Sequence, residues 1–156
     1  MDNELIVHAR QLGETLLAVH KTVVTAESCT GGWVAQTITE IAGSSHWFER
    51  GFVTYSNAAK IDMLSVSPQT LALFGAVSAE TAGEMTSGAL AHSLADLAIA
   101  ITGIAGPDGG SAEKPVGLVF IAWQWRGQAP TVVKKLLTGN RHEIRRQSVA
   151  SALLLP

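Results

Sequence analysis

Five short runs of β-branched and apolar residues punctuate this chain, at Thr22–Ala26, Gly51–Tyr55, Leu97–Ile101, Val116–Trp125 and Thr131–Leu137. Between the first three lie segments with apolar residues at helical intervals: Trp33–Ile41, Asn57–Leu64, a short stretch from Pro68 to Gly75, and a longer one from its cap Ser78 to about Leu94. Two more helical segments, Asn3–Val19 and Arg141–Leu154, flank the set. Strands separated by helices pair in parallel through crossovers. The last two runs are joined only by Arg126–Pro130 and read as an antiparallel hairpin. Leu97–Ile101 is apolar at every position, as a strand covered on both faces must be. These constraints predict α/β architecture, a three-layer α/β/α sandwich around a mixed sheet.

The 156 residues, 47% of them hydrophobic, suit one domain over 1–156 with a core of its own. Lys and Arg total 11 against 13 Asp and Glu, so the chain lacks the basic field of a protein that grips nucleic acid. Met1–His20 has no signal-peptide layout, and no run approaches the ~20 apolar residues of a membrane span. The expected location is the cytoplasm, with no membrane partner. The lone Cys29 excludes an internal disulfide, and no Cys/His spacing suggests zinc. Neither a metal nor a cofactor is expected. Trp33, Trp47, Trp123 and Trp125, with the high apolar content, suggest surplus apolar surface and hence a homodimer.

Four segments offer chemistry. In Thr25–Gly32 (TAESCTGG) a strand ends, the chain bends over a small polar residue, and a helix starts after two glycines. Unpaired N–H groups at a helix start face whatever occupies such a bend. Ser28 there is either a nucleophile whose oxyanion the neighbouring amides hold or a helix cap, a role equally open to Thr30. The segment is not the G-x-S-x-G hydrolase elbow, and nothing beside Cys29 marks a reactive thiolate. In Phe52–Lys60, Tyr55 ends a strand, and Asn57 and Lys60 stand three apart on a helix's first turn. None of the histidines has an evident carboxylate partner. Lys60 is therefore the base open to Ser28 if burial lowers its pKa from ~10.4 toward ~7–8; otherwise it is a solvated surface lysine. Tyr55 can relay the proton or steady the amine.

In Ile101–Gly110 the residues Thr102, Gly103 and Gly106 emerge at the carboxyl edge of the sheet, where α/β proteins bind ligands. Pro107 and a polar loop follow rather than a helix, which rejects a dinucleotide fingerprint and leaves a binding loop or a flexible connection. In Gly139–Arg146, Asn140 can cap a helix on which Arg141 and Arg145 share a face. Two guanidiniums at a helix start suit a phosphate monoester; a solvated basic face is the alternative.

Taken in order, TAESCTGG, GFVTYSNAAK, ITGIAGPDGGSAEKPVG and GNRHEIRRQ closely resemble the CinA C-terminal-domain family in its stand-alone form, from about Thr22 to Ala152. The resemblance implies hydrolysis of the carboxamide of nicotinamide mononucleotide to nicotinate mononucleotide and ammonia, without metal or cofactor, in pyridine-nucleotide recycling. It puts the family's serine on Ser28, its lysine on Lys60, its tyrosine on Tyr55, its glycine-rich loop on Thr102–Gly110 and its terminal arginines on Arg141 and Arg145. The acidic residue usual before Arg141 is here Asn140, which keeps the capping role. Family members run somewhat past the position of Pro156, so further turns or a dimer contact are expected beyond it. Nothing attached to the family's N-terminal domain is expected of this chain. The resulting expectation is catalysis by Ser28, Lys60 and Tyr55. Substrate contacts are expected at Thr30, Gly31, Gly32, Asn57, Thr102, Gly103, Gly106, Arg141 and Arg145. Two other readings stay open: a catalytically silent module that binds a pyridine nucleotide, and an amidohydrolase for another small amide.

Overall fold

The alternation of apolar runs becomes an alternation of elements in a computed structural model, which describes residues 2–156. In chain order these are α1 (Asn3–Ala18), β1 (Val23–Glu27), α2 (Trp33–Thr39), β2 (Phe48–Val53), α3 (Asn57–Leu64), α4 (Pro68–Phe74) and α5 (Ala79–Ala91), then β3 (Leu97–Gly103), β4 (Leu118–Trp125), β5 (Thr131–Leu136) and α6 (Arg141–Leu153). A single 3₁₀ turn at Ser44–His46 precedes β2. The sheet order is β2-β1-β3-β4-β5. β1 is parallel to both β2 and β3, while β3–β4 and β4–β5 are antiparallel. This is the expected mixed three-layer sandwich.

The two-residue period of the strands sorts the core into two halves. Leu97, Ile99 and Ile101, with Val119, Ile121 and Trp123, face α1, α2 and α6. Ala98, Ala100 and Ala122 face the other way and pack with Ala82, Met85 and Ala89 of α5. Alanine on that face lets α5 lie close to the sheet. α1 is held by Leu5, Leu12 and Leu16, all buried, each contributing ~1.5–3 kcal/mol by leaving water.

Topology then makes the site. β1 leads on to β2 at one side of the sheet and β3 leads on to β4 at the other. The loops leaving β1 and β3 therefore part and open a crevice at the carboxyl edge, the usual ligand position in open α/β sheets.

Most boundaries move by a residue or two from the sequence reading, and three of the shifts are instructive. β2 runs Phe48–Val53 rather than Gly51–Tyr55; it is a half-exposed edge strand whose start is hidden by the polar Glu49 and Arg50, which pair with each other. β4 begins at Leu118, not Val116, because Gly117 sits at φ +95°. α5 stops at Ala91 rather than near Leu94, and Arg126 binds the carbonyls of Leu90, Ser93 and Ala95 just beyond. The tryptophans do not supply the surplus surface expected of them. Trp47 and Trp123 are buried and Trp33 and Trp125 half-buried, whereas Leu73, Leu94 and Leu136 are the strongly exposed apolar side chains. No helix among the described residues is long and apolar enough to cross a membrane.

Candidate active site

Ser28 stands one residue past β1, its N–H still bonded to the Ile101 carbonyl of β3 at 3.0 Å. Gly31 and Gly32 follow at φ +61° and +100°, left-handed values that a side chain resists, and they swing the chain into α2. The cap of α2 is neither Ser28 nor Thr30. The cap position is Gly32, which has no side chain, and the acceptor comes from the end of β1: the buried Glu27 carboxylate accepts from Thr30 Oγ1 (2.6 Å), the Val34 N–H (2.9 Å) and the Ala35 N–H (3.1 Å). A carboxylate is the natural partner of the free amides and positive dipole end of a helix start. With Glu27 in that role, the Ser28 hydroxyl is not spent on capping.

Ser56 caps α3 through the Ala59 N–H, and one turn in, Lys60 points inward with only 1% of its surface exposed. Its Nζ donates to Ser28 Oγ at 3.0 Å, to the Thr54 carbonyl at 2.9 Å and to the Tyr55 carbonyl at 3.3 Å. No carboxylate bonds the amine, so burial pushes its pKa below the ordinary lysine value, opposed only by the neighbouring Cys29. Burial drives the Cys29 thiol the other way, up to about 11, which leaves it protonated at neutral pH.

Ser28 and Lys60 open on a cleft of about 280 Å³ that Tyr55, Gly103, Gly106 and Arg141 also line. Several expected contacts fall elsewhere. The Tyr55 phenol, on a side chain 62% exposed, bonds Arg141 Nη2 at 3.4 Å rather than Ser28 or Lys60; only the backbone carbonyl of Tyr55 meets the amine. Thr102 does line the cleft, but its hydroxyl is taken by the Ala76 carbonyl, which holds the cleft wall together. Thr30 is buried with its hydroxyl turned to Glu27. Gly31, Gly32 and Asn57 do not line the cleft. Asn57 is exposed because three residues on a helix leave side chains ~60° apart, enough to separate it from the inward Lys60. The arginines also part. Arg141 lines the cleft and bonds the Gly106 carbonyl at 2.8 Å. Arg145 instead bonds the carbonyls of Cys29 (3.0 Å) and Thr30 (3.3 Å), with its guanidinium 5.5 Å from the centre of the Trp33 ring.

Residues 6–155 match the family described as CinA C-terminal domain. The chain belongs to the CinA C-terminal domain family. It is similar to the nicotinamide-nucleotide amidohydrolase PncC of Escherichia coli (strain K12), 56% identical over 153 residues, which cover 97% of this chain and 92% of that protein. A protein of the same name from Pseudomonas putida is 48% identical over 145 residues, 93% of this chain and 90% of its own length. Among solved structures, the competence/damage inducible protein CihA from Agrobacterium tumefaciens superposes with a TM-score of 0.95 at 49% identity, over 98% of this chain and 93% of that one.

Sequence reasoning missed two parts of this CinA domain's site. Glu27 carried a readable signal, an acid at a strand end before a glycine turn and a helix, which is capping chemistry in carboxylate form. The Thr54 carbonyl carried none, since a backbone acceptor for Lys60 exists only once the chain has turned from the end of β2 into α3.

Proposed function

We propose that this protein hydrolyses the carboxamide of nicotinamide mononucleotide to nicotinate mononucleotide and ammonia through an acyl-enzyme on Ser28. The observation that carries the reading is the 3.0 Å contact between Lys60 Nζ and Ser28 Oγ, with the amine buried and its pKa lowered. The names of the full-length relatives support the choice of substrate.

Neutral Lys60 takes the Ser28 proton as Oγ attacks the carboxamide carbon. The Thr30 N–H has no acceptor among the described residues and, with the neighbouring Cys29 N–H, is the donor for the oxyanion, a contribution of ~3 kcal/mol per donor. The tetrahedral intermediate collapses: the Lys60 ammonium passes its proton to the amide nitrogen as the C–N bond breaks, and the nitrogen leaves as ammonia. Water then attacks the ester, giving a proton to Lys60, which returns it to Ser28 as nicotinate mononucleotide leaves. Arg141, at the cleft, holds the 5′-phosphate, and the Tyr55 phenol steadies that guanidinium. Remote binding of this kind fixes the carbonyl against the nucleophile. The protein works without a cofactor, as a cytoplasmic homodimer in pyridine-nucleotide recycling.

Ammonia release from nicotinamide mononucleotide tests the reading. Ser28→Ala and Lys60→Ala should each abolish it while thermal unfolding stays cooperative, and mass spectrometry of quenched wild-type enzyme should find the ester of nicotinate mononucleotide on Ser28. Undiminished turnover by Ser28→Ala, or tight binding of the mononucleotide with no turnover by the wild type, would overturn it.

A further inference from the structure

A buried backbone N–H with no acceptor is rare and calls for an explanation. Thr30 is 1% exposed, yet its N–H donates to no oxygen among the described residues. The peptide it belongs to is not free, however. That peptide's carbonyl, on Cys29, accepts from Arg145 Nε at 3.0 Å, and the next carbonyl, on Thr30, accepts from Arg145 Nη2 at 3.3 Å. The guanidinium is itself seated, 5.5 Å from the Trp33 ring centre, and Trp33 in turn rests against His142 at 5.1 Å between ring centres.

In a trans peptide the C=O and N–H point in opposite directions. A fixed cation on the Cys29 carbonyl therefore aims the Thr30 N–H away from Arg145, which stands outside the cleft, in the turn whose Ser28 and Cys29 line it. A positive charge on the carbonyl also draws electrons from the amide and strengthens its N–H as a donor. The second bond holds the Thr30–Gly31 peptide, whose own N–H closes the turn on the Ser28 carbonyl at 3.1 Å.

We infer that Arg145 is a positioning residue for the oxyanion donors: it grips the Cys29–Thr30 and Thr30–Gly31 peptides by their carbonyls and holds the Thr30 N–H ready for the tetrahedral intermediate. The arginine expected to share the phosphate with Arg141 thus acts on the transition state through the backbone. This inference rests on the acyl-enzyme reading above.

Steady-state kinetics on nicotinamide mononucleotide and on its dephosphorylated riboside test it, with Tm followed alongside. Arg145→Ala should lower kcat by roughly 10–100-fold, short of the full loss of an oxyanion donor. KM should barely change, the kcat loss should be equal for both substrates, and the pH profile set by Lys60 should not move. Arg145→Lys, which can restore one of the two bonds, should recover part of kcat. A rise in KM confined to the phosphorylated substrate would overturn the inference in favour of a phosphate anchor. A fall in Tm with kcat intact would overturn it in favour of a structural role alone. Wild-type turnover by Ser28→Ala would remove the underlying mechanism and this role with it, whereas a failure limited to the Arg145 variants leaves Ser28 and Lys60 standing.

Discussion

The contact between Lys60 and Ser28 depends on a glycine that touches neither. Gly88 lies in α5 against the end of α3, and a Cβ built there would sit 1.8 Å from the Leu64 carbonyl oxygen. Relief to ordinary contact at 3.4 Å requires the helices to separate by about 1.6 Å. α5 cannot retreat, because the alanine face of the sheet is packed behind it. The displacement therefore falls on α3, which carries Lys60 one turn before Leu64. Lys60 Nζ is 3.0 Å from Ser28 Oγ, so a shift of that size breaks the bond. Gly88→Ala should then lower kcat about 100-fold, the usual scale for an ångström of misplacement. Overpacking should cost ~1–3 kcal/mol, with Tm falling ~2–4 °C for each kcal/mol. Ammonia release and calorimetry read the two effects separately. Gly127→Ala is the control: its φ of +84° makes it strained, but nothing lies within 4 Å. It should lose ~1–2 kcal/mol of stability and no activity. If Gly88→Ala folded with wild-type kcat, α3 would not be the rigid carrier of Lys60 that the packing implies.

Two further outcomes follow from the buried charges. Lys60 releases its proton at a lower pH in the folded protein than its ordinary 10.5, so between the two values the unfolded chain binds more protons and stability rises with pH. kcat/KM should climb with the same folded-state ionisation, at a midpoint below 10.5, and Lys60→Met should flatten the stability slope in that window; an unchanged slope would show the amine to be unperturbed. Val34 and Ala35 donate to different oxygens of the Glu27 carboxylate, so Glu27→Gln keeps one acceptor and sets an amide NH2 against the other N–H. It should cost ~1–3 kcal/mol in denaturant unfolding and loosen the Ser28 turn, and an unchanged unfolding midpoint would refute the capping role.

What could be read from the chain, and what could not, divides by whether the information is local. Leu97–Ile101 declares a doubly covered strand because its five side chains alternate between two cores, and nothing else in the fold can change that. β2 is less legible, since Glu49 and Arg50 at an exposed edge look like loop residues until the parallel neighbour β1 is beside them. The site shows the same divide. Ser28 and Lys60 could be paired on paper only because no histidine offered a better base and the family resemblance puts a lysine there; the burial that separates Lys60 from a surface lysine exists only in the fold. Arg141 and Arg145 could not be told apart, being one helical turn from each other with the same chemistry. What separates them is the surface each meets across the gap, the Gly106 loop for one and the Trp33 ring with the turn carbonyls for the other. Tyr55 makes the point most sharply: the sequence offers a phenol, while what meets the amine is the carbonyl behind it, an acceptor that any residue there would supply. Substitution of Tyr55 therefore acts through Arg141 and the cleft rim, and the hydrogen bond to Lys60 survives it.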